Sequence, residues 1–186
     1  ANETVCLLGA SGSGKSTLLW YLVDIAIHHD THDILAIPVD LYDPNQFVGK
    51  EDLLFHAVHQ SCPDFSDHEI KVLAKYLDER LKKGTALLLA DNWSSFDKGI
   101  TDTPSGWKRI VLFGREKPLH ANPLIWFYRL PEFSDQEIRC FVKSWIINWQ
   151  PQMDLELLLS TIFTNDIFTD LARLPLFLSS MCKYFN

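Results

Sequence analysis

The sequence predicts an α/β fold, in which helices cover both faces of a largely parallel sheet, followed by a small helical domain. Five short apolar runs are spaced along the first 130 residues, with helical patterns between them. This alternation is typical of parallel sheets, and apolar runs without polar alternation predict strands buried on both faces. Beyond Pro131 apolar residues recur only at helical spacing. We therefore expect one domain over 1–130 and another over 131–186.

The individual elements follow from these patterns. The predicted strands cover 5–8, 34–39, 86–90, 110–113 and 125–128. The predicted helices begin at Lys15, near Glu51 and at Asp67, and then cover 135–149, 155–163, 167–171 and 175–184.

Local capping signals mark two of these helices. Ser66 with Glu69, and Ser134 with Glu137, have the spacing of a capping box, in which the serine and the glutamate each bond the other's backbone amide. Gly84 follows two lysines and predicts the end of the earlier helix. An aromatic stripe at helical spacing in the first helix of the second domain predicts packing against a core: Phe141, Trp145 and Trp149.

Composition limits the functional classes. The 17 basic and 24 acidic residues give a net charge of −7, so we expect no surface that binds duplex nucleic acid. No apolar stretch is long enough to span a bilayer, and we expect a cytoplasmic protein without a membrane segment. The chain opens almost directly on a strand pattern, which suggests a piece of a longer polypeptide. Four widely spaced cysteines are predicted to be reduced core thiols: Cys6, Cys62, Cys140 and Cys182.

The strongest motif lies between the first strand and the first helix. Residues 9–17 read GASGSGKST and fit the pattern GxxxxGK[ST] of a phosphate-binding loop. Glycines let successive backbone amides point at phosphate oxygens, with the positive end of the helix dipole behind them. This context predicts a P-loop NTPase, a three-layer α/β/α domain. The predicted nucleotide-binding residues are Gly9, Ser11, Gly12, Ser13, Gly14, Lys15, Ser16 and Thr17.

Particular side chains of this motif have predicted roles. Lys15 is expected to reach the β- and γ-phosphates, and Thr17 lies in position for the α-phosphate. Ser16 is expected to offer its hydroxyl to Mg²⁺. Asp91 follows the apolar run Leu87–Ala90 and predicts the carboxylate that holds the same metal ion. The expected ligands are therefore a nucleotide, ATP or ADP, and Mg²⁺.

Other P-loop classes fit less well. A transporter-type ATPase needs an LSGGQ-like signature, which the sequence lacks. A small-molecule kinase usually closes an arginine-rich lid over the phosphates, whereas the six arginines of this chain are scattered along it.

The order of features resembles the NACHT domain of the STAND signalling ATPases, relatives of the AAA+ proteins. The resemblance rests on the strand end PVDL at 38–41, the LKKG helix end at 81–84 and the strand that ends at Asp91. It continues with the strand IVLFGR at 110–115, the segment FSDQE at 133–137 and the motif LPL at 174–176.

This resemblance implies a nucleotide-gated switch, often one of innate immunity. The family holds ADP between two lobes in a closed form, then exchanges it for ATP, forms homo-oligomers and activates an attached effector domain. Effector and sensor domains would lie outside this segment. The resemblance further implies that Arg115 senses the γ-phosphate, that Lys15 and Asp91 belong to the catalytic set, and that Pro175 packs on adenine.

The sequence departs from the family after Asp91. The family pattern resembles DGLDE, whereas this chain reads DNWSS, so Ser94 and Ser95 stand where acids are expected. Loss of a general base typically removes ~10²–10⁴ in rate. We therefore expect weak or absent hydrolysis, with Asp97 as a candidate substitute.

Two other functions remain open on the sequence. The chain could be a phosphotransferase that acts on a small molecule, with Asp40 or Asp97 as its base. It could also be a module that binds nucleotide only structurally. The polar cluster of His28, His29, His32, Asp30 and Asp33 is interpreted as a helix-to-strand loop and not as a metal site.

Overall fold

The computed structural model describes residues 3–28, 34–41, 50–93, 106–117 and 124–185. The chain divides into two compact units. One comprises Ala1–Gly9 with Lys15–Arg129, and the other comprises Ala10–Gly14 with Leu130–Asn186. The division after Arg129 lies beside the predicted boundary, but residues 10–14 of the phosphate-loop motif group with the helical segment.

The first unit contains a five-stranded sheet in which every pair of neighbours is parallel. Its order is β2-β3-β4-β1-β5. The strands are β1 (Glu3–Leu8), β2 (Leu35–Asp40), β3 (Ala86–Trp93), β4 (Arg109–Gly114) and β5 (Ile125–Arg129). The predicted α/β class with a parallel sheet is confirmed.

Helices flank this sheet and make up the second unit. The first unit contains α1 (Lys15–His28), α2 (Lys50–Ser61) and α3 (Asp67–Lys83). The second unit contains α4 (Asp135–Trp149), α5 (Leu155–Phe163), α6 (Asp166–Ala172) and α7 (Pro175–Tyr184). Among the helices in the described ranges, none has both the length and the apolar character needed to cross a bilayer.

Two apolar layers hold the sheet between its helices. On one face, the strand residues Cys6, Leu88 and Leu112 belong to a core that includes Leu54 of α2 and Leu81 of α3. On the other face, Leu19 of α1 packs with Leu89 and Phe113. The central strands are buried on both sides, which is why their sequences are continuously apolar.

Strand β5 departs from this arrangement. The prediction that all five strands are covered on both faces is wrong here, because Trp126 is 66% exposed and Tyr128 is 55% exposed. Strand β5 lies at the edge of the sheet and pairs only with β1, whereas α1 packs mainly on β2, β3 and β4. Ile125 points to the other face and is buried.

The predicted helix ends are present. Both capping boxes form, at Ser66 with Glu69 and at Ser134 with Glu137. Gly84 ends α3 in the left-handed conformation, with φ of 79°, and its amide bonds the last turn of the helix.

The second unit has its own core and its own aromatic row. Ile138, Val142, Leu158 and Cys182 are buried in this core, together with Ala172. Successive ring centroids of Phe133, Phe141, Trp145 and Trp149 lie 6.0, 5.8 and 6.2 Å apart. Phe141 and Trp145 pack against the core, while Trp149 is exposed.

The four cysteines are free thiols in different surroundings. Burial raises the pKa of Cys6 to about 12 and that of Cys182 to about 11, so both are inert core groups. The prediction of four core thiols is wrong for Cys140, which is exposed, and Cys62 is only half-buried. Cys140 lies on α4 between the buried positions Ile138 and Val142, so helical geometry turns it away from the core.

The capping box of α3 predicts a loss of stability in acid. Hydrogen bonds from the Ser66 hydroxyl and the Ser66 amide lower the pKa of Glu69 below its ordinary 4.5. The stabilisation is therefore present above about pH 4.5 and is lost as the pH falls through the folded-state pKa. The urea midpoint of unfolding, measured by circular dichroism, should fall between pH 7 and acid pH in the wild type. We expect this fall to be smaller in Glu69→Gln.

The matched control is Glu79→Gln, which removes an exposed carboxylate from the body of the same helix. It should keep the acid sensitivity of the wild type. An unchanged acid dependence in Glu69→Gln would contradict the assignment.

Candidate functional site

The loop between β1 and α1 is curled by two left-handed glycines. Gly12 has φ of 83° and Gly14 has φ of 87°, a conformation that residues with a Cβ rarely adopt. The Ser13 amide donates to the carbonyl of Ala10 at 3.2 Å, which closes a tight turn inside the loop. These glycines thus let the loop fold back on itself.

The start of the loop is hydrogen-bonded to the sheet edge, and its two ends are hydrogen-bonded to each other. The Gly9 amide donates to the carbonyl of Gly114 at 3.1 Å, at the end of the neighbouring strand β4. From the other end, Lys15 Nζ donates to the carbonyl of Gly9 at 2.7 Å. The amine therefore reaches back across the loop that it follows.

The start of α1 differs from those of other helices in its charge. The first turn, Lys15–Leu18, contains no acidic residue, whereas the first turns of α3 and α4 contain two each. The positive end of a helix dipole attracts anions, and a carboxylate in the first turn would satisfy it internally. This helix end is thus suited to an external anion such as phosphate.

Asp91 and Ser16, 75 residues apart in the chain, meet at this site. The Ser16 hydroxyl donates to Asp91 Oδ2 at 2.5 Å. Asp91 lies near the carboxyl end of β3, and Ser16 lies in the first turn of α1. Hydroxyl and carboxylate oxygens are ligands that Mg²⁺ accepts, so this pair fits the two protein positions of a magnesium site.

The charges around Lys15 are coupled. Burial lowers the pKa of Lys15 below its ordinary value; Asp91 raises it, and the positive charge of Arg115 lowers it again. Arg115 directly follows β4 and lies within electrostatic reach of Lys15. A phosphate group here would offset the burial of Lys15 and its repulsion by Arg115.

Gly114 lies directly against the side chain of Trp93. A Cβ at Gly114 would lie 2.9 Å from Trp93 Cε3 and 3.0 Å from the Trp93 carbonyl oxygen. Trp93 is buried, with 2% of its surface exposed. A residue with a Cβ has little room at position 114, because the indole and the carbonyl of Trp93 fill that space.

Other predicted site residues lie on or beside the loop. Ser11 and Thr17 are exposed, and Ser13 is half-buried. Within the second unit, the Leu176 amide donates to the Gly12 carbonyl at 3.2 Å, and Pro175 Cγ lies 3.8 Å from where a Cβ of Gly14 would be.

Two groups of residues discussed from the sequence lie partly or wholly outside the residues that the structure describes. Ser94, Ser95 and Asp97 are outside the described residues, as are His29, Asp30, His32 and Asp33. His28 is described and pairs with Asp24 at 3.0 Å. Within the described ranges, no three His, Cys, Asp or Glu residues cluster in a way that could hold a metal ion.

No pattern in the sequence led us to predict a role for Asn92. It is the one non-glycine residue with positive φ in the described part of the chain, at 57°. Its Nδ2 donates to Asp40 Oδ1 at 2.7 Å. The available signal was its place directly after Asp91, where the family pattern has glycine, because asparagine tolerates the left-handed region better than most residues.

Comparisons with known proteins identify the fold. No family model matches the sequence, and neither does any curated protein. Among solved structures, the chain is similar to a STAND protein with a tetratricopeptide repeat sensor from Pyrococcus horikoshii. The TM-score is 0.55 at 15% identity, over 100% of this chain and 28% of that one.

Two structures of ORC proteins are also similar. Drosophila ORC, solved bound to DNA, has a TM-score of 0.56 at 12% identity, over 97% of this chain and 49% of that one. Aeropyrum pernix ORC2, solved in its ADP form, has a TM-score of 0.50 at 14% identity, over 87% of this chain and 52% of that one. This chain thus spans between about a quarter and a half of the length of these neighbours, and it shares their α/β fold.

The contact of Gly114 with Trp93 predicts the cost of a side chain at this position. We expect Gly114→Ala to lower the free energy of unfolding by about 1–3 kcal/mol, because the added methyl overpacks a buried site. Urea unfolding followed by circular dichroism measures the change.

A double-mutant cycle with Trp93→Leu is the control. Removing the indole makes room, so the alanine should cost at least ~0.5 kcal/mol less in the Trp93→Leu background. Equal costs in both backgrounds would show that Trp93 does not restrict residue 114.

Proposed function

We propose that this chain is the nucleotide-binding core of a NACHT-type STAND switch, which binds ADP or ATP with Mg²⁺ and controls the oligomerisation and signalling of a larger protein. The observation that carries the proposal is the meeting of Ser16 and Asp91 at the first turn of α1, beside Lys15, whose charge Arg115 influences. The STAND neighbour with the same fold supports it.

The loop supplies the binding energy for phosphates. Backbone amides and the dipole of α1 favour anions at the start of the helix. The charge of Lys15 is disfavoured by burial and by repulsion from Arg115, and a bound phosphate relieves both costs. The gain is therefore largest for the charged end of a nucleoside di- or triphosphate.

Ser16 and Asp91 would hold the magnesium ion that accompanies the nucleotide. Both present oxygen ligands, and their 2.5 Å hydrogen bond shows that the two side chains already converge. When bound, Mg²⁺ supplies positive charge that neutralises the phosphate oxygens. The hydroxyl proton that now bonds Asp91 must turn away from the metal ion.

Arg115 and Pro175 would distinguish the states of the switch. Arg115 follows the strand next to β1 and influences Lys15 electrostatically, so it is suited to detect a γ-phosphate. Pro175 lies beside Gly14 within the second unit, and we assign its ring to the nucleotide. Exchange of ADP for ATP would then favour homo-oligomers and the activation of attached effector domains, as in innate immune signalling.

Hydrolysis is a minor part of this function, since a switch must hold its triphosphate long enough to signal. A phosphotransferase acting on a small molecule would instead consume ATP only when an acceptor is supplied. No described contact favours a specific acceptor.

Lys15→Ala should abolish most nucleotide binding. A hydrogen bond to a charged group contributes about 1.5–3 kcal/mol, so we expect an affinity loss of roughly 10–100-fold. The first measurement is to denature purified wild type and Lys15→Ala and to identify any nucleotide that each releases. The second compares the shift in melting temperature that added ADP causes in each protein.

Lys71→Ala, on the exposed surface of α3, is the matched control for charge. It should release as much ADP as the wild type. A wild type that releases no nucleotide and fails to bind added ATP or ADP would overturn the proposed function.

Asp91→Asn tests the magnesium site. We expect wild type to bind ADP more tightly with Mg²⁺ than with a chelator, and the variant to lose most of that ratio, because a neutral amide is a poorer Mg²⁺ ligand. Isothermal titration in both buffers measures the ratio, with Asp64→Asn as an exposed control. A magnesium dependence that survives in Asp91→Asn would contradict this role.

A further inference from the structure

A one-residue bulge in β3 lets the neighbouring side chains of Asp91 and Asn92 reach different partners. Ala90 pairs with Leu112 of β4, whereas Trp93 pairs with Gly114, so three steps on β3 match two on β4. The extra residue lies at Asp91–Asn92. Bulges next to functional sites commonly re-aim a side chain.

Asp91 is fully engaged at this bulge. Its Oδ2 accepts from the Ser16 hydroxyl, and its Oδ1 accepts from the Asn92 amide at 2.9 Å. Asn92, in the left-handed conformation, instead extends its side chain to β2 and donates to Asp40 Oδ1. The strained conformation of Asn92 is thus used to hold a second carboxylate.

The backbone of Asp40 is held as firmly as its side chain. Its amide donates to Gln60 Oε1, and its carbonyl accepts from Gln60 Nε2, both at 3.2 Å. Asp40 pairs in register with Asp91 on the adjacent strand. Neighbouring strands lie about 4.8 Å apart, so two carboxylates stand side by side at the carboxyl edge of the sheet.

Asp40 has one carboxylate oxygen that Asn92 does not bond. Asn92 donates to Oδ1 of Asp40. Among the residues that the structure describes, none donates a hydrogen bond to Oδ2. Asp40 and Asp91 line the same cavity of about 270 Å³, together with Leu19, Trp20 and Pro38. A water molecule occupies about 30 Å³ of the liquid, so this space admits water beside both carboxylates.

We propose that Asp40 is the general base for ATP hydrolysis in this chain and that Asn92 is its positioning residue. This inference rests on the proposed function, in which Asp91 serves the metal ion and cannot also take the proton. Asp40 thus supplies the carboxylate that is lacking at Ser94 and Ser95, from a different strand.

The step balances as a hydrolysis. The water oxygen forms a bond to the γ-phosphorus, and the bond between that phosphorus and the β–γ bridging oxygen breaks. The water proton passes to Asp40 Oδ2, and the electron pair of the broken bond stays with ADP. The products are ADP and inorganic phosphate, after which Asp40 releases its proton to solvent.

The test compares release of inorganic phosphate at saturating Mg²⁺ and ATP with the Kd for ATP. Asp40→Asn keeps an oxygen that accepts from Asn92 and removes only the basic carboxylate. We expect the variant to lower kcat by about 10²–10³-fold, with Kd within about twofold of wild type. Asp40→Glu, which keeps a carboxylate, should recover part of the rate. If Asp40 were merely structural, the rate would not depend on a carboxylate at this position.

Two further variants complete the experiment. Asn92→Gly keeps the left-handed backbone and removes the amide, so it should lower kcat while leaving Kd unchanged. Asp64→Asn, an exposed carboxylate elsewhere, should match wild type in both quantities.

The outcomes separate this inference from the proposed function. If wild type and Asp40→Asn bind ATP equally and hydrolyse it at equal rates, the general-base role of Asp40 is wrong, while the proposed function stands. A wild type that binds ATP without any hydrolysis would lead to the same conclusion. A wild type that fails to bind ATP would overturn the proposed function itself.

Discussion

The parallel pairing of β1 with β4, and of β4 with β3, is the constraint on which the candidate site depends. Parallel strands bring their carboxyl ends to one edge, where ligands bind in open α/β sheets. Because Leu8 pairs with Gly114, the loop that follows β1 begins beside the residue that precedes Arg115. The same edge brings Asp91 to Ser16 across 75 residues of chain. A change of register would separate these groups even if every local element formed.

Steric constraints at the sheet edge are as strict as the pairing. Gly12 and Gly14 supply backbone conformations that let the loop curl, while Gly114 leaves room for the buried indole of Trp93. The bulge before Trp93 directs Asp91 and Asn92 to different partners. Strained positions of this kind persist only where the surrounding structure holds them, and they concentrate at functional sites.

Electrostatics distinguishes the helix that serves the site from the helices that serve stability. The starts of α3 and α4 are sealed by their own serine and glutamate residues, which satisfy the free amides internally. The start of α1 has no acid in its first turn and instead carries Lys15, whose charge is disfavoured by burial and by Arg115. Unsatisfied positive potential at one helix end, beside the carboxylate of Asp91, suits an anion accompanied by a divalent cation.

Local patterns in the sequence determined the strands, the helix ends, the capping boxes and the phosphate-loop motif, because each depends on residues close together in the chain. Strand order was beyond such patterns, since apolar continuity does not reveal which strand lies at an edge. The exposure of Trp126 and Tyr128 therefore corrects the prediction that both faces of every strand are covered. The exposure of Cys140 likewise corrects the prediction that every cysteine lies in a core. The pairing of Asn92 with Asp40 joins residues 52 positions apart through a bulge and a left-handed backbone. Only the tertiary structure decides such a contact, because it depends on how two strands are aligned and not on the residues adjacent to either one.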